Sequence, residues 1–227
     1  MTDAELIQGS PEWHAARCGS LGASSIHEAL ARTKSGYGAS RANLRARLIC
    51  ERLTGVPQDN YTNAAMVWGI ETEPQARAAY AFDQDVDVTE VGLIRHSTIA
   101  GTHASPDGLI GEDGGFECKC PGSAAHLDTL LNKSFPDKYM LQCLWGMACT
   151  GRKWWDLASF DPRFPGELQL FVKRIHWDEP RIVALELDVT DFLAEVDDVI
   201  AKLTGQSIEH LRTKLDAGLR ELPVMMP

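Results

Sequence analysis

Apolar residues recur at helical spacing over 40–53, where Leu44, Leu48, Ile49 and Leu53 share a stripe and Gly55 supplies a stop. A shorter helix is expected to open on Ser10-Pro11-Glu12, with serine as cap and proline in the first turn, and to end near Gly19. Gly22 to Ser25 reads as a second helix entrance leading into 26–31, and Lys34 to Gly38 as a mobile loop. Further helices are predicted over 72–82, 138–150, 191–203 and 207–222. Two-residue alternation predicts a strand over 86–94, and further strands are predicted over 154–160 and 168–175.

Between the first strand and the next helix lies Ser105-Pro-Asp-Gly-Leu-Ile-Gly-Glu-Asp-Gly-Gly-Phe-Glu-Cys-Lys-Cys-Pro121, with the grammar of a β-hairpin. Helices, a strand, a hairpin, a helix and more strands, in that order, predict an α/β (α+β) class: a single domain with a central mixed sheet flanked by helices. No internal repeat or low-complexity linker interrupts it.

The chemistry sits in the hairpin. Side chains alternate along a strand, so Glu117 and Lys119 share one face, while Phe116, Cys118 and Cys120 share the other. A turn around Glu112 to Gly114 places Asp107 opposite Lys119 and diagonal to Glu117. A solvated Asp–Lys pair is the plain alternative, worth only about 0.2–1 kcal/mol. The apolar company of Leu109, Ile110, Phe116, Cys118 and Cys120 favours a semi-buried cleft instead. Carboxylates stay ionised there only beside a cation. Mg²⁺ typically takes one or two carboxylates and completes its shell with waters and phosphate oxygens, a demand Asp107 and Glu117 meet. Lys119 beside them can orient or help deprotonate a water and stabilise developing charge.

Bulk properties adjust the picture little. The 227 residues carry a net charge of −10, which argues on average against a nucleic-acid binder, but an enclosing protein needs only a locally positive surface. The six cysteines are scattered and read as buried free thiols rather than disulfides or a zinc site. With no run of eighteen apolar residues and no basic-apolar leader, a cytosolic protein without membrane contact is expected. Arg41, Arg45 and Arg52 lie mostly off the helical stripe and read first as a solvated face, second as a DNA track.

Pro106-Asp107 with Glu117-x-Lys119 resembles the PD-(D/E)xK nuclease motif. The wider sequence resembles the phage lambda exonuclease or YqaJ-type viral recombinase family. Trp13-His14 with Arg17, Ala23-Ser24, Trp68-Gly69 with Glu73, Ser105 to Leu109, Glu117 to Pro121, Tyr139-Met140-x-Gln142 and Asp161-Pro-Arg163 follow that family's order.

The resemblance implies a restriction-endonuclease-like core and an enzyme that hydrolyses phosphodiesters. It implies Mg²⁺, with Mn²⁺ able to substitute, at a two-metal site: Asp107, Glu117 and the Cys118 carbonyl as ligands, Glu73 (rather than nearby Glu71) at the second position, Lys119 on the water and Gln142 near the reacting phosphate. Arg17, Ser24 and Ser105 match residues that hold the 5′ phosphate of a DNA end, although Ser24 is also readable as a helix cap. Lys34 falls where the family pattern has an arginine, and Met66 near an apolar wedge that opens the duplex, unless it is simply core. His103 matches nothing in that pattern and is left out of the site.

Family members are homotrimeric rings that thread duplex DNA and degrade one strand 5′ to 3′. The 3′ overhang passes to a single-strand annealing protein, in a phage- or prophage-encoded system of the bacterial cytoplasm. In such a ring Arg41, Arg45, Arg47 and Arg52 are channel candidates. The alternative is another PD-(D/E)xK nuclease, either an endonuclease or a helicase-associated DNA-repair nuclease.

Overall fold

The structure, a computed structural model, describes residues 3–34, 36–58, 63–210 and 213. Ser10 caps helix α1 (Pro11–Arg17): its hydroxyl accepts the Trp13 N–H, and Pro11 stands where no donor is needed. Strand β1 (Leu21–Gly22), a 3₁₀ turn (Ala23–Ser25) and helix α2 (Ile26–Ala29) follow. Across the expected loop, β2 (Arg32–Thr33) pairs with β3 (Gly36–Tyr37). Helix α3 (Ala39–Thr54) ends on Gly55 at φ 68°, the predicted stop.

Helix α4 (Ala64–Gln84) starts well before the expected Thr72, because the Asn63 side chain caps it by accepting the Met66 N–H. The strand expected over 86–94 does not form. Thr89 and Leu109 exchange 2.8 Å backbone hydrogen bonds in a single bridge, and the Gly92 and Leu93 amides donate to Ala4 and Asp3 of the N-terminal segment instead. Only β4 (Ile94–Arg95) is left of it.

Strands β5 (Thr102–Ala104), β6 (Gly108–Ile110) and β7 (Gly114–Lys119) lead into α5 (Ser123–Asn132), which the sequence did not suggest. Then come α6 (Asp137–Thr150), β8 (Trp154–Phe160), β9 (Leu170–His176) and α7 (Glu179–Thr204), the last far longer than expected. Most of the helix expected over 207–222 lies outside the described residues.

The expected mixed sheet is present. Its order is β6-β7-β8-β9, with β7 and β8 parallel and both outer pairs antiparallel, and a smaller mixed sheet has the order β1-β5-β4. Helices α5 and α6 make the crossover that a parallel β7–β8 pair requires. On one face Trp155 and Leu157 pack with Leu144, Trp145, Phe192 and Val196. On the other, Phe116, Cys118, Ala158 and Phe160 pack with Ala76 and Tyr80 of α4.

Arg41 and Arg52 are neither solvated nor channel-facing. Their side chains are 6% exposed and bind Glu195 at 2.6 Å and Asp197 at 2.7 Å, tying α3 to α7. Arg45 joins Glu195 at 3.2 Å while staying partly accessible, and Arg47 is partly accessible too. Among the cysteines, Cys50 is exposed rather than buried.

Candidate active site

The hairpin closes one residue earlier than the sequence suggested. Gly108, Leu109 and Ile110 pair with Phe116, Gly115 and Gly114, so the turn spans Gly111 to Asp113 and the step beyond brings Asp107 opposite Glu117 rather than Lys119. Gly111, at φ 50°, takes the turn conformation that favours glycine. Gly114 and Gly115 serve the strand. A β-carbon at either would lie 2.2 Å from the rings of Trp154 or Trp155, so glycine is what lets these indoles lie flat on β7. The Trp155 ring also comes within 2.8 Å of where a β-carbon of Gly146 in α6 would stand.

This register gathers the expected triad. Asp107 is 9% and Glu117 4% exposed. Asp107 Oδ2 accepts the Cys118 N–H at 2.7 Å. Glu117 Oε1 accepts from Lys119 Nζ at 2.6 Å and from Gln142 Nε2 of α6 at 2.6 Å. Glu73 projects from α4 and meets Arg77 at 3.6 Å, while Arg77 donates to the Asp107 carbonyl at 2.7 Å. Glu71 is exposed and Glu73 half-buried, so it is Glu73 that joins the cluster.

The electrostatics are those of a site short of positive charge. Burial, then Asp107, pushes Glu117 up to about 8. Burial, again followed by Asp107, pushes Glu73 up to about 7. Burial also raises Asp107, against the pull of Lys119 and the Cys118 amide. Burial alone would lower the Lys119 ammonium, but Glu117 and Asp107 together outweigh it and hold the proton on.

Among the described residues no three His, Cys, Asp or Glu side chains close into a cage by themselves. The donors fit Mg²⁺ nonetheless, since that ion takes few carboxylates and keeps room for waters and phosphate oxygens. Mutually repelling buried carboxylates, each holding its proton too tightly, are what a divalent cation relieves.

Gln142 reaches a second space. A cavity of about 160 Å³ is lined by Arg17, Ser24, Ser105, Trp13, Gln142 and His103. The Arg17 guanidinium lies 3.9 Å over the Trp13 ring, and burial, then Arg47, pulls it down to about 10. The Ser105 hydroxyl is buried and has no hydrogen-bond partner among the described residues. Ser24 sits inside the 3₁₀ turn and caps no helix with its side chain, which removes its alternative reading.

A neighbouring cavity of about 340 Å³ shares Arg17 and Ser24 and adds Arg47 and Met66. Met66 is 44% exposed, hence not core. Lys34 is exposed on the β2–β3 turn and lines neither space. His103 is the residue that sequence reasoning missed. The available signal was its place two residues before Ser105.

The YqaJ-like viral recombinase domain matches residues 12–153 of the chain. An alkaline exonuclease from Laribacter hongkongensis is 45% identical and superposes with a TM-score of 0.81, covering 86% of this chain and 97% of that one. The same enzyme in complex with dAMP gives a TM-score of 0.80 at 45% identity, with coverage of 86% and 97%. A phage related exonuclease from Haemophilus somnus 129PT shares the fold at 13% identity and a TM-score of 0.68, over 82% of this chain and 96% of its own. No curated protein matches the chain significantly.

Proposed function

The chain belongs to the YqaJ-like viral recombinase domain family, and on that premise we propose that it is a Mg²⁺-dependent, processive 5′ to 3′ exonuclease on linear double-stranded DNA. The observation that carries the reading is the junction at Gln142. This amide donates to Glu117 Oε1 and also lines the cavity of Arg17, Ser24 and Ser105, so a cluster of acids and a cationic cavity share one wall. A terminal phosphate in the cavity places the adjoining phosphodiester beside the acids.

Asp107, Glu117 and the Cys118 carbonyl would hold one Mg²⁺, and Glu73 would contribute to a second; Mn²⁺ suits the same oxygen donors. Bound there, the metal would supply a water of lowered pKa and neutralisation of charge on the leaving oxygen. The chain's own groups do the rest. The Lys119 ammonium orients the water and steadies charge on the phosphate. Gln142 holds the Glu117 carboxylate in place. Arg17, Ser24 and Ser105 anchor the 5′ phosphate, with Met66 at the mouth where the strands part and Lys34, on the β2–β3 turn outside both cavities, assigned a loose phosphate contact.

We place the chain in a homotrimeric ring that threads the duplex and passes its 3′ overhang to a single-strand annealing protein, in a phage-borne system of the bacterial cytoplasm. A ring holds its substrate topologically, which suits a chain of net charge −10. Among the described residues no helix is long and apolar enough to cross a membrane.

The test is an end-labelled time course with Mg²⁺ on a linear 5′-phosphorylated duplex beside a covalently closed circle. Linear DNA should shorten from its 5′ ends to leave 3′ overhangs while the circle stays intact. Cleavage of the circle would establish the endonuclease reading instead.

A further inference from the structure

His103 occupies the middle of β5, beside Gly22 of β1 in parallel register, and is 1% exposed. Its Nε2 lies 3.2 Å from Arg17 Nε, and its Nδ1 lies 2.8 Å from Ser20 Oγ. An arginine Nε always carries hydrogen and can only donate. Nε2 must therefore accept, which puts the imidazole proton on Nδ1, donating to Ser20. Burial first, then the charges of Arg17 and Arg95, hold the ring well below its ordinary pKa, in agreement with that hydrogen-bond pattern.

The glycine of β1 makes the contact possible. A β-carbon on Gly22 would approach His103 Nε2 to 3.1 Å and Arg17 Nη2 to 3.6 Å. With Nε bound to the imidazole and the guanidinium face stacked on Trp13, the plane of Arg17 is fixed from two sides. Among the described residues neither Nη nitrogen is bound within the chain, so the fork is spare for the cavity that Arg17 lines with Ser24 and Ser105.

We propose that His103 is the positioning residue of the phosphate cavity: as an uncharged acceptor it fixes the Arg17 fork toward the 5′ phosphate and leaves the full guanidinium charge to the ligand. A carboxylate in its place would grip Arg17 as well or better, but would cancel the charge the phosphate needs. The inference rests on the reading of this cavity as the site of the DNA 5′ end.

The experiment compares initial rates on 5′-phosphorylated and 5′-hydroxyl linear duplexes for the wild type, Arg17→Ala, His103→Leu, His103→Gln and His103→Glu. Wild type should favour the phosphorylated end by about tenfold or more, the worth of a charge-assisted contact. His103→Leu fills the space without an acceptor, and His103→Glu supplies a charged one. Both should drop to the ratio of Arg17→Ala, while His103→Gln retains most of the preference.

A wild-type ratio preserved in His103→Leu overturns the role of His103 and leaves the cavity's role standing. Should His103→Leu fail to fold, the glutamine and glutamate variants decide, because a mere structural tether is served equally by both. A wild type with no preference, matched by Arg17→Ala, removes the end-binding reading itself and this inference with it.

Discussion

The side-chain amide of Gln142 donates to Oε1 of Glu117 at 2.6 Å, so one residue of α6 bridges a buried carboxylate of β7 and the wall of the Arg17 cavity. Removing it should reach both. Gln142→Ala is expected to slow single-turnover digestion about tenfold, the scale of one charge-assisted hydrogen bond. Gln142→Glu adds a fourth repelling carboxylate and should be worse by about another tenfold. Rapid-quench time courses at saturating Mg²⁺ would check this, and a Gln142→Glu variant of wild-type speed would refute it.

Lys119 should separate chemistry from binding. Lys119→Ala is expected to lower the cleavage rate by about 10²–10⁴, the usual worth of a positioned proton donor or acceptor. Affinity for duplex ends should stay within about threefold, because the Arg17 cavity is untouched. Lys119→Arg should not rescue, since a planar fork cannot replace a compact ammonium 2.6 Å from Glu117. Fluorescence anisotropy on a labelled duplex, read beside the digestion rate, distinguishes the two effects.

The acid cluster makes stability depend on pH with a definite sign. Glu117 at about 8 and Glu73 at about 7 sit above the usual glutamate value of 4.5, so the folded chain holds these protons more tightly than the unfolded one. The folded state then binds more protons between the two limits, and the metal-free protein should lose stability as pH rises through that window. Mg²⁺ bound at the proposed site would remove the penalty by displacing the protons. It should therefore raise Tm by a few degrees more near pH 8.5 than near pH 6, and digestion should weaken on the acid side. Thermal melts with and without metal test this, and Glu117→Gln should flatten the difference.

The Arg52–Asp197 pair bears on the fold rather than the reaction. Both side chains are nearly buried, at 6% and 3% exposure, and join α3 to α7 at 2.7 Å. Asp197→Ala removes the carboxylate half of a nearly buried ion pair and should cost about 3–5 kcal/mol in urea unfolding. Replacing both with apolar residues of similar size should cost much less.

The parts of the fold legible in the sequence are those whose signal is local. The largely apolar run of Trp154 to Phe160, the stripe of α3 with its Gly55 stop, and the apolar and charged faces of β7 all needed only neighbours in the chain. The early turns of α4 were hidden because Met66, Val67 and Ile70 are exposed there, leaving no amphipathic stripe to read. The hairpin register was hidden because Gly114 and Gly115 look like turn residues until Trp154 and Trp155 are seen lying on them. His103 stayed out of the site because its partner, Arg17, is reached only through the β1–β5 pairing of distant segments.

The indole of Trp155 rests between Gly115 of β7 and Gly146 of α6, and Gly146 lies one turn along that helix from Gln142. A bulky residue with no part in the reaction thus gauges the gap across which Gln142 meets Glu117. Drift at these three positions should be correlated by shape: among kindred chains, enlarging either glycine would demand a slimmer residue at 155, and any such exchange would reset the reach of the amide to the carboxylate.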